Sequence, residues 1–338
     1  MQINANSIAN VNSLVGSGNL LYGIVGIVVY AIIVALMLSV FGYSFGWIER
    51  KIIARAQYRH GPTYVGKYGF LQNMADLVKL LSKREIALSK GDNFMVRVSV
   101  PLMLSLSVFI ILLLPFSPWL QATNIGFGLL LIFVAIAFFP MLVFLTGFST
   151  GNKFGDISAQ RSVLMLLSYE LPMIVVVITI ALVTGSYNLQ GIIAAQSSHW
   201  FVILMPIGFI VMFIAMLAEF ERPPFDLREA DSELIAGWLT DISAPYYALV
   251  LFLDYTRMFM GSLIIAILFL GGWMGPSFLP GIVWMIAKAV VVALFVIVVR
   301  ATTFRMRIDR VLHLGWLVLI PLSLINLLIT YIVLLWIA

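Results

Sequence analysis

Residues 125–148 read IGFGLLLIFVAIAFFPMLVFLTGF, a run without a single charged side chain. A helix rises about 1.5 Å per residue, so about twenty such residues cross the hydrocarbon core of a bilayer. Other stretches share this length and apolar character, at 20–46, 96–118, 162–184, 201–219, 246–271, 279–300 and 314–337. The sequence therefore predicts an all-α, polytopic membrane protein with about eight transmembrane helices.

Composition supports the same fold class. The 338 residues are 62% hydrophobic and only 10% charged, and the mean hydropathy is +1.08. A water-soluble protein of this length needs more charge to cover its surface, whereas lipid solvates an apolar exterior. We therefore treat residues 1–338 as one integral membrane domain.

The residue types present exclude several kinds of cofactor site. The chain has no cysteine, which excludes disulfides, thiolate-bound zinc and cysteine-ligated iron–sulfur clusters within it. Its histidines, His60, His199 and His313, lie far apart in the sequence. There is no phosphate-binding loop and no dinucleotide fingerprint. We predict no metal site, and we expect any redox cofactor to sit on other chains.

Basic residues are confined to one side of the predicted topology. Of the 20 Lys and Arg residues, all but Arg257 and Lys288 lie in or beside four links, at about 47–96, 149–161, 219–245 and 301–313. The opposite loops and both termini carry no charged side chain. By the positive-inside rule, the four links are cytoplasmic and both termini are outside. The net charge of +5 thus reflects orientation in the lipid bilayer rather than nucleic-acid binding.

The first link opens with WIERKIIARAQY at residues 47–58, where apolar and basic residues alternate at helical spacing. This pattern is typical of an amphipathic helix that lies in the membrane interface. The glycines and Pro62 that follow it predict turns that end this helix.

The long link at 219–245 carries the strongest chemical signal. Glu229 and Glu233 are four residues apart, so a helix would place both on one face. Neighbouring carboxylates raise each other's pKa, which suits groups that exchange protons near neutral pH. The alternative is a solvated loop, but the apolar residues between the acids favour the first interpretation. The acids of this link are Glu219, Glu221, Asp226, Glu229, Asp231, Glu233 and Asp241.

Ionisable residues inside the predicted spans are a second signal. Each costs roughly 2.5–3.5 kcal/mol in the hydrocarbon on insertion scales, so it should face protein or water and have a partner. Asp254 and Arg257 lie about one turn apart and fit a structural ion pair. Glu170 and Lys288 have no partner within one turn, which favours a path for protons or ions.

Short motifs run through most of the chain in a characteristic order. They are Glu49-Arg-Lys, Arg59-His-Gly-Pro, Leu71-Gln, Ala75-Asp, Asn152-Lys, Ser168-Tyr-Glu, Ala218-Glu, Arg222-Pro-Pro-Phe-Asp-Leu, Glu229-Ala-Asp-Ser-Glu-Leu, Gly271-Gly-Trp-Met-Gly-Pro, Arg300-Ala and Gly315-Trp. Through these motifs the chain, from about Gly46 to its C-terminus, resembles the H subunits, the quinone-site membrane subunits, of the proton-pumping, complex I-type NADH:quinone oxidoreductases and their archaeal relatives.

The resemblance implies a membrane subunit that forms part of a tunnel for a lipid quinone, the substrate, and that is not catalytic in isolation. It implies a quinone site made by Arg50, Asp76, Phe225, Glu229, Asp231 and Glu233. It also implies a path that couples quinone reduction to proton translocation, made by Glu49, Glu170, Glu219, Asp254 and Lys288.

The resemblance further implies partners. Iron–sulfur clusters and flavin would sit only on partner subunits of the peripheral arm, one of which would share the quinone site. Small and antiporter-like subunits would adjoin this chain in the membrane. Departures from the family pattern, such as Thr63-Tyr64 in place of Asn-Arg and Leu317 in place of Lys, favour a prokaryotic plasma membrane over an organelle.

Two other classes of function stay open from the residues alone. An ion or proton transporter acting alone would explain Glu170, Asp254 and Lys288, although the sequence shows no inverted repeat and concentrates its charge on one face. A purely structural membrane anchor would explain the basic face but would leave Glu170 and Lys288 without a role.

Overall fold

The computed structural model describes residues 20–118, 120–121, 124–229, 231–276 and 278–337, and within these ranges it is helical, with no strand. The helices long and apolar enough to cross a membrane are Ala31–Ala56, Asn93–Leu113, Gly128–Ser149, Lys153–Thr184, Ala244–Phe269, Gly281–Thr302 and Ile308–Leu335. The predicted all-α, polytopic membrane fold is confirmed.

The order of the α-helices, with the labels used below, is α1 Leu20–Ala56, α2 Gln72–Leu81, α3 Asn93–Leu113, α4 Gly128–Ser149, α5 Lys153–Thr184, α6 Leu189–Ala195, α7 Phe201–Leu204, α8 Pro206–Glu219, α9 Asp231–Leu234, α10 Ala244–Phe269, α11 Gly281–Thr302, α12 Ile308–His313 and α13 Ile320–Ile337. A π-helical segment, Leu314–Leu319, joins α12 to α13 and makes them one span.

α10 forms the centre of the bundle. Every residue from Thr256 to Phe269 is buried, and the helix packs against α1, α3 and α11. The outer spans α1 and α13 instead expose many apolar side chains, as helices facing lipid or other membrane subunits do. Charged residues on the inner part of α10 therefore lie inside protein rather than in lipid.

The first helix extends further than the sequence suggested. Residues 47–56 continue α1 instead of forming a separate interfacial helix, because nothing before Tyr58 interrupts the helical hydrogen bonds. Tyr58 has a φ of 55°, which ends the helix ahead of Gly61 and Pro62. The amphipathic helix of this link is α2, which has no buried residue.

The fifth predicted span, 201–219, is interrupted. It divides into α7 and α8 at Met205, because Pro206 has no N–H with which to continue the first helix. The side chain of Asn326 on α13 accepts a hydrogen bond at 3.0 Å from the N–H of Gly208, one of the donors freed at the start of α8. α8 itself has only 14 residues, so the two pieces together make this span.

The contact between Asn326 and Gly208 predicts a stability effect. Replacing Asn326 with Leu leaves the Gly208 N–H without its acceptor, at a cost of about 1 kcal/mol in a membrane interior. We expect a lower melting temperature in detergent, measured by intrinsic fluorescence. Asn124→Leu, at an exposed position, is the control and should melt like the unaltered protein. Equal melting of both variants would show that the contact contributes nothing.

Candidate functional site

The end of α1 and the amphipathic helix α2 are joined by an ion pair. Arg50 Nη1 donates to Asp76 Oδ2 at 2.7 Å, and Gln72 Nε2 donates to Asp76 Oδ1 at 3.0 Å. Burial alone would raise the pKa of Asp76, but the hydrogen bonds from Arg50 and Gln72 outweigh it and hold the pKa below its ordinary value. The carboxylate of Asp76 is therefore ionised at neutral pH.

A cavity of about 420 Å³ adjoins this ion pair. It combines positive charge, a histidine and apolar surface in one space. Its lining residues are Arg50, Ile53, Arg59, His60, Gly61, Pro62 and Gln72. Such a mixture can hold a molecule with a polar head and an apolar body.

Glu49, the residue before Arg50, is buried in the protein, whereas Arg50 is exposed. Glu49 is only 2% exposed and pairs with Arg222 at 3.5 Å and with Arg300 of α11. The guanidinium of Arg222 also lies 5.2 Å from the centre of the Tyr255 ring. We call Glu49, Arg222 and Arg300 the Glu49 group.

A second set of paired charges surrounds Glu221. Arg257 of α10 donates to Glu221 Oε1 at 2.6 Å and to Glu219 Oε1 at 3.0 Å, while Arg228 reaches Glu221 Oε1 at 2.7 Å. Tyr169 of α5 donates its hydroxyl to Glu219 Oε2 at 2.8 Å. We call Tyr169, Glu219, Glu221, Arg228 and Arg257 the Glu221 group. Arg257 does not contact Asp254 directly as predicted, because its guanidinium pairs with these two glutamates. Asp254 acts on Arg257 only at longer range.

The acidic link folds back against the bundle as a partly buried segment rather than a solvated loop. Its apolar residues Phe220, Phe225, Leu227, Leu234 and Trp238 are all buried. Phe225, predicted for the quinone site, is 3% exposed. The apolar residues between the acids thus pack against the bundle, as expected if the link is not simply a solvated loop.

Glu229 and Glu233 are not stacked on one helix, because α9 begins only at Asp231. Burial and the nearby carboxyls of Asp254 and Glu221 raise the pKa of Glu229 well above its usual range. Glu233 is about half exposed, and its hydrogen bond from Arg161 at 2.6 Å lowers its pKa. The side chain of Asp231 lies outside the described part of the chain.

Glu170 lies half-buried in α5, directly after Tyr169 of the Glu221 group. The π-helical segment packs closely here, since any Cβ at Gly315 would overlap the backbone of Ser168. Glu170 lies two residues after this close contact, and its carboxyl is near enough to Glu219 of the Glu221 group for the two to interact electrostatically.

Lys288 lies at the other end of α10 from the acidic link. Its ammonium donates to the carbonyls of Leu270, Gly272 and Met274 at 2.5, 3.0 and 2.6 Å. The indole ring of Trp200 lies 4.7 Å away. All three ammonium donors are thus used at the C-terminus of α10, where a cation is electrostatically favoured. α10 has 26 residues, so about 39 Å separates its two ends.

Sequence reasoning selected several acids but missed most of their partners. The sequence did contain a signal for these partners. Buried carboxylates require cations, and the acidic link holds two arginines, Arg222 and Arg228, close to its acids. Glu221 was counted among the acids but not singled out. The missed residues are Arg161, Tyr169, Glu221, Arg222, Arg228 and Arg300.

The ion pair at Asp76 predicts a pH-dependent anchoring of α2. Because the folded-state pKa of Asp76 is lowered, its contribution is present above the ordinary value near 3.8 and is lost as the pH falls through the folded-state pKa. Asp76→Asn should remove it at neutral pH. A partly exposed pair contributes up to about 1 kcal/mol, so amide exchange in α2 should accelerate up to about fivefold. Asp309→Asn, an exposed change elsewhere, should leave α2 exchange unaltered.

The contacts of Lys288 predict a structural effect of its removal. Lys288→Met leaves three carbonyls at the end of α10 without their donor, and we expect a loss of about 1–3 kcal/mol of stability. Thermal unfolding in detergent measures this loss. Lys67→Met, at an exposed site, is the control. A variant that melts normally but no longer couples to proton movement would instead favour the path implied by the resemblance.

Comparison with known proteins identifies the family of the chain. The model of the NADH dehydrogenase family matches residues 27–331. The chain is 37% identical over 309 residues to the H subunit of NADH-quinone oxidoreductase from Dehalococcoides mccartyi, covering 90% of this chain and 86% of that protein. It is 36% identical over 305 residues to the H subunit of F(420)H(2) dehydrogenase from Methanosarcina mazei, covering 85% and 87%. The chain therefore belongs to the NADH dehydrogenase family, among the H subunits of complex I-type oxidoreductases.

Proposed function

We propose that this chain forms part of the quinone-binding tunnel of a complex I-like oxidoreductase and couples quinone reduction to proton translocation. The observation that carries the proposal is the position of the Glu49 group directly behind the cavity beside Arg50. Consecutive residues of α1 face both sites, with Arg50 toward the cavity and Glu49 toward the protein interior. A charge change in the cavity is therefore felt by the buried ion pairs.

The cavity suits the head of a lipid quinone. Arg50, Arg59 and His60 offer hydrogen-bond donors to carbonyl oxygens, while Ile53 and Pro62 offer apolar contact. Quinone takes up two electrons and two protons to become quinol. The electrons would come from an iron–sulfur cluster on a partner subunit, because this chain has no cysteine to hold one.

Glu229 is the best candidate for a proton-exchanging group in the acidic link. Burial and the neighbouring carboxyls of Asp254 and Glu221 raise its pKa well above the usual range, which favours the protonated form and suits a group that exchanges a proton. Glu233 is a weaker candidate, since Arg161 stabilises its ionised form. Coupling then requires two states of the protein that differ in proton affinity, and Glu219 and Glu170 would carry the change into the membrane.

A docking surface for the peripheral-arm subunits would lie on the first link. Tyr58 and Tyr64 are almost fully exposed, and α2 presents Met74, Val78 and Leu81 to the outside. Exposed aromatic and apolar side chains in such number are typical of a protein interface. By the positive-inside rule, the basic residues of this link favour a cytoplasmic position for it, with both termini outside. The membrane would be the plasma membrane of a prokaryote.

The transporter alternative is weaker than it was from the sequence. Lys288 is one of the three intramembrane residues that favoured a transporter. Its ammonium donates to three backbone carbonyls, so it has a structural explanation. The anchor alternative gives no reason for burying several paired charges, since such pairs are poor at adding stability. Coupling in a complex explains the ion pairs better than either alternative.

The decisive variant is Glu229→Gln in the complex purified with its partners. We expect it to keep its partners but to reduce a soluble quinone analogue about tenfold more slowly, because coupling energies between sites typically correspond to about 5–150-fold. Co-purification and spectrophotometric quinone reduction measure the two properties.

Two further variants make this result specific. Glu233→Gln, which removes an exposed ion pair, should have the smaller effect. Glu85→Gln, which removes a pair with Arg97 outside the site, is the matched control and should behave as the unaltered complex. Full proton pumping and normal turnover in Glu229→Gln would refute its assignment, and ion transport by the chain alone would favour the transporter.

A further inference from the structure

Glu221 occupies a junction that its place in the sequence does not reveal. It follows α8 by two residues. Its Oε1 atom forms an ion pair with Arg228 at 2.7 Å and accepts a hydrogen bond from Arg257 at 2.6 Å. The side chain of Glu221 is 7% exposed, and those of Arg228 and Arg257 are 0% and 3% exposed. One carboxylate therefore holds two guanidiniums that have almost no access to water.

The backbone at Glu221 is held in an unfavourable conformation. Its φ of 55° lies in the left-handed region, which residues with a Cβ rarely adopt outside functional or tightly determined sites. Glycine would satisfy this backbone more easily, yet the position carries an acid. The side-chain carboxylate, rather than the backbone conformation, therefore accounts for a glutamate at this position.

The Glu221 group has two glutamates, Glu219 and Glu221, in direct contact with two arginines, Arg228 and Arg257. Glu221 is the one carboxylate among them that contacts both arginines. Removing one partner of a buried ion pair is strongly unfavourable, so a neutral residue in place of Glu221 disturbs both pairs at once.

The two arginines hold different parts of the site. Arg228 lies in the acidic link directly before Glu229, and its carbonyl accepts a hydrogen bond from Ser158 of α5 at 2.7 Å. Arg257 lies on α10 and holds Glu219. By holding Arg228, Glu221 fixes the acidic link beside Glu229. By holding Arg257, it fixes the carboxylate of Glu219, which belongs to the proposed path into the membrane.

We propose that Glu221 is a positioning residue that sets the geometry of Glu229 and Glu219 by holding Arg228 and Arg257 at once. It acts on quinone reduction through these residues and does not contact the quinone. This inference rests on the proposed function, since the rate that it affects is that of quinone reduction.

The test compares Glu221→Gln with the double variant Glu221→Gln/Arg228→Gln, in the complex with its partners. The single variant leaves one buried cation without a partner, whereas the double variant restores the charge balance. Glu85→Gln is again the matched control. For each complex we would measure kcat and KM for a soluble quinone analogue. For the single variant we would also measure the rate of tryptic cleavage after Arg228.

We expect Glu221→Gln to lower kcat by about fivefold or more, the lower end of typical coupling effects, with KM within about twofold. Trypsin should cut after Arg228, which is protected in the unaltered protein. The double variant should recover most of the lost kcat, because its charges balance. If the single variant fails to accumulate in the membrane, recovery of both protein and kcat in the double variant gives the same support.

Three results would overturn the inference. One is normal kcat in Glu221→Gln, the second is a double variant no better than the single one, and the third is continued protection of Arg228 from trypsin. Failure of the proposed function has a different signature, because the unaltered complex would then not reduce quinone at all. The tryptic comparison still decides whether Glu221 holds Arg228 in that case.

Discussion

Burying charged groups away from water is so unfavourable that each must find an opposite charge, and this constraint shapes the end of the bundle that holds the acidic link. The partners of Glu49 come from the acidic link and from α11, and those of Glu219 come from α5 and α10. The link cannot leave the bundle without exposing unpaired charges inside it. Its inward course and the burial of Phe225 follow from that pairing.

The two ends of α10 meet this constraint in different ways. At the link end, carboxylates and guanidiniums pair side chain to side chain, and carboxylates can gain or lose protons. At the far end, Lys288 and Gln196 bind backbone atoms, whose charge is fixed. At the link end, a proton taken up by a carboxylate weakens an ion pair. At the far end, the contacts of Lys288 and Gln196 tie α10 to the backbone around it.

Hydropathy and charge placement were enough to predict the spans and the long acidic link, because both signals are local in the sequence. They could not show which charges meet, since Glu49 and Arg222 are 173 residues apart. The expected stacking of Glu229 and Glu233 failed because α9 starts too late to include Glu229. The end of α1 was misplaced because a basic, amphipathic pattern fits a continuing helix as well as an interfacial one. Even the intramembrane pairing of Arg257 depended on residues outside its own helix.

The hydrogen bond between Gly208 and Asn326 also bears on how the helices assemble while the chain is being synthesised. The two residues are 118 positions apart, so at about 5–20 residues per second the ribosome needs about 6–24 s to supply the second after the first. Throughout that interval the break at Met205 has a backbone donor with no acceptor from its own chain. The fifth span therefore gains this acceptor only when the last helix, α13, has been made, although most of the helices around it are synthesised earlier. Until the final helix arrives, the insertion machinery or water at its lateral opening must satisfy that donor.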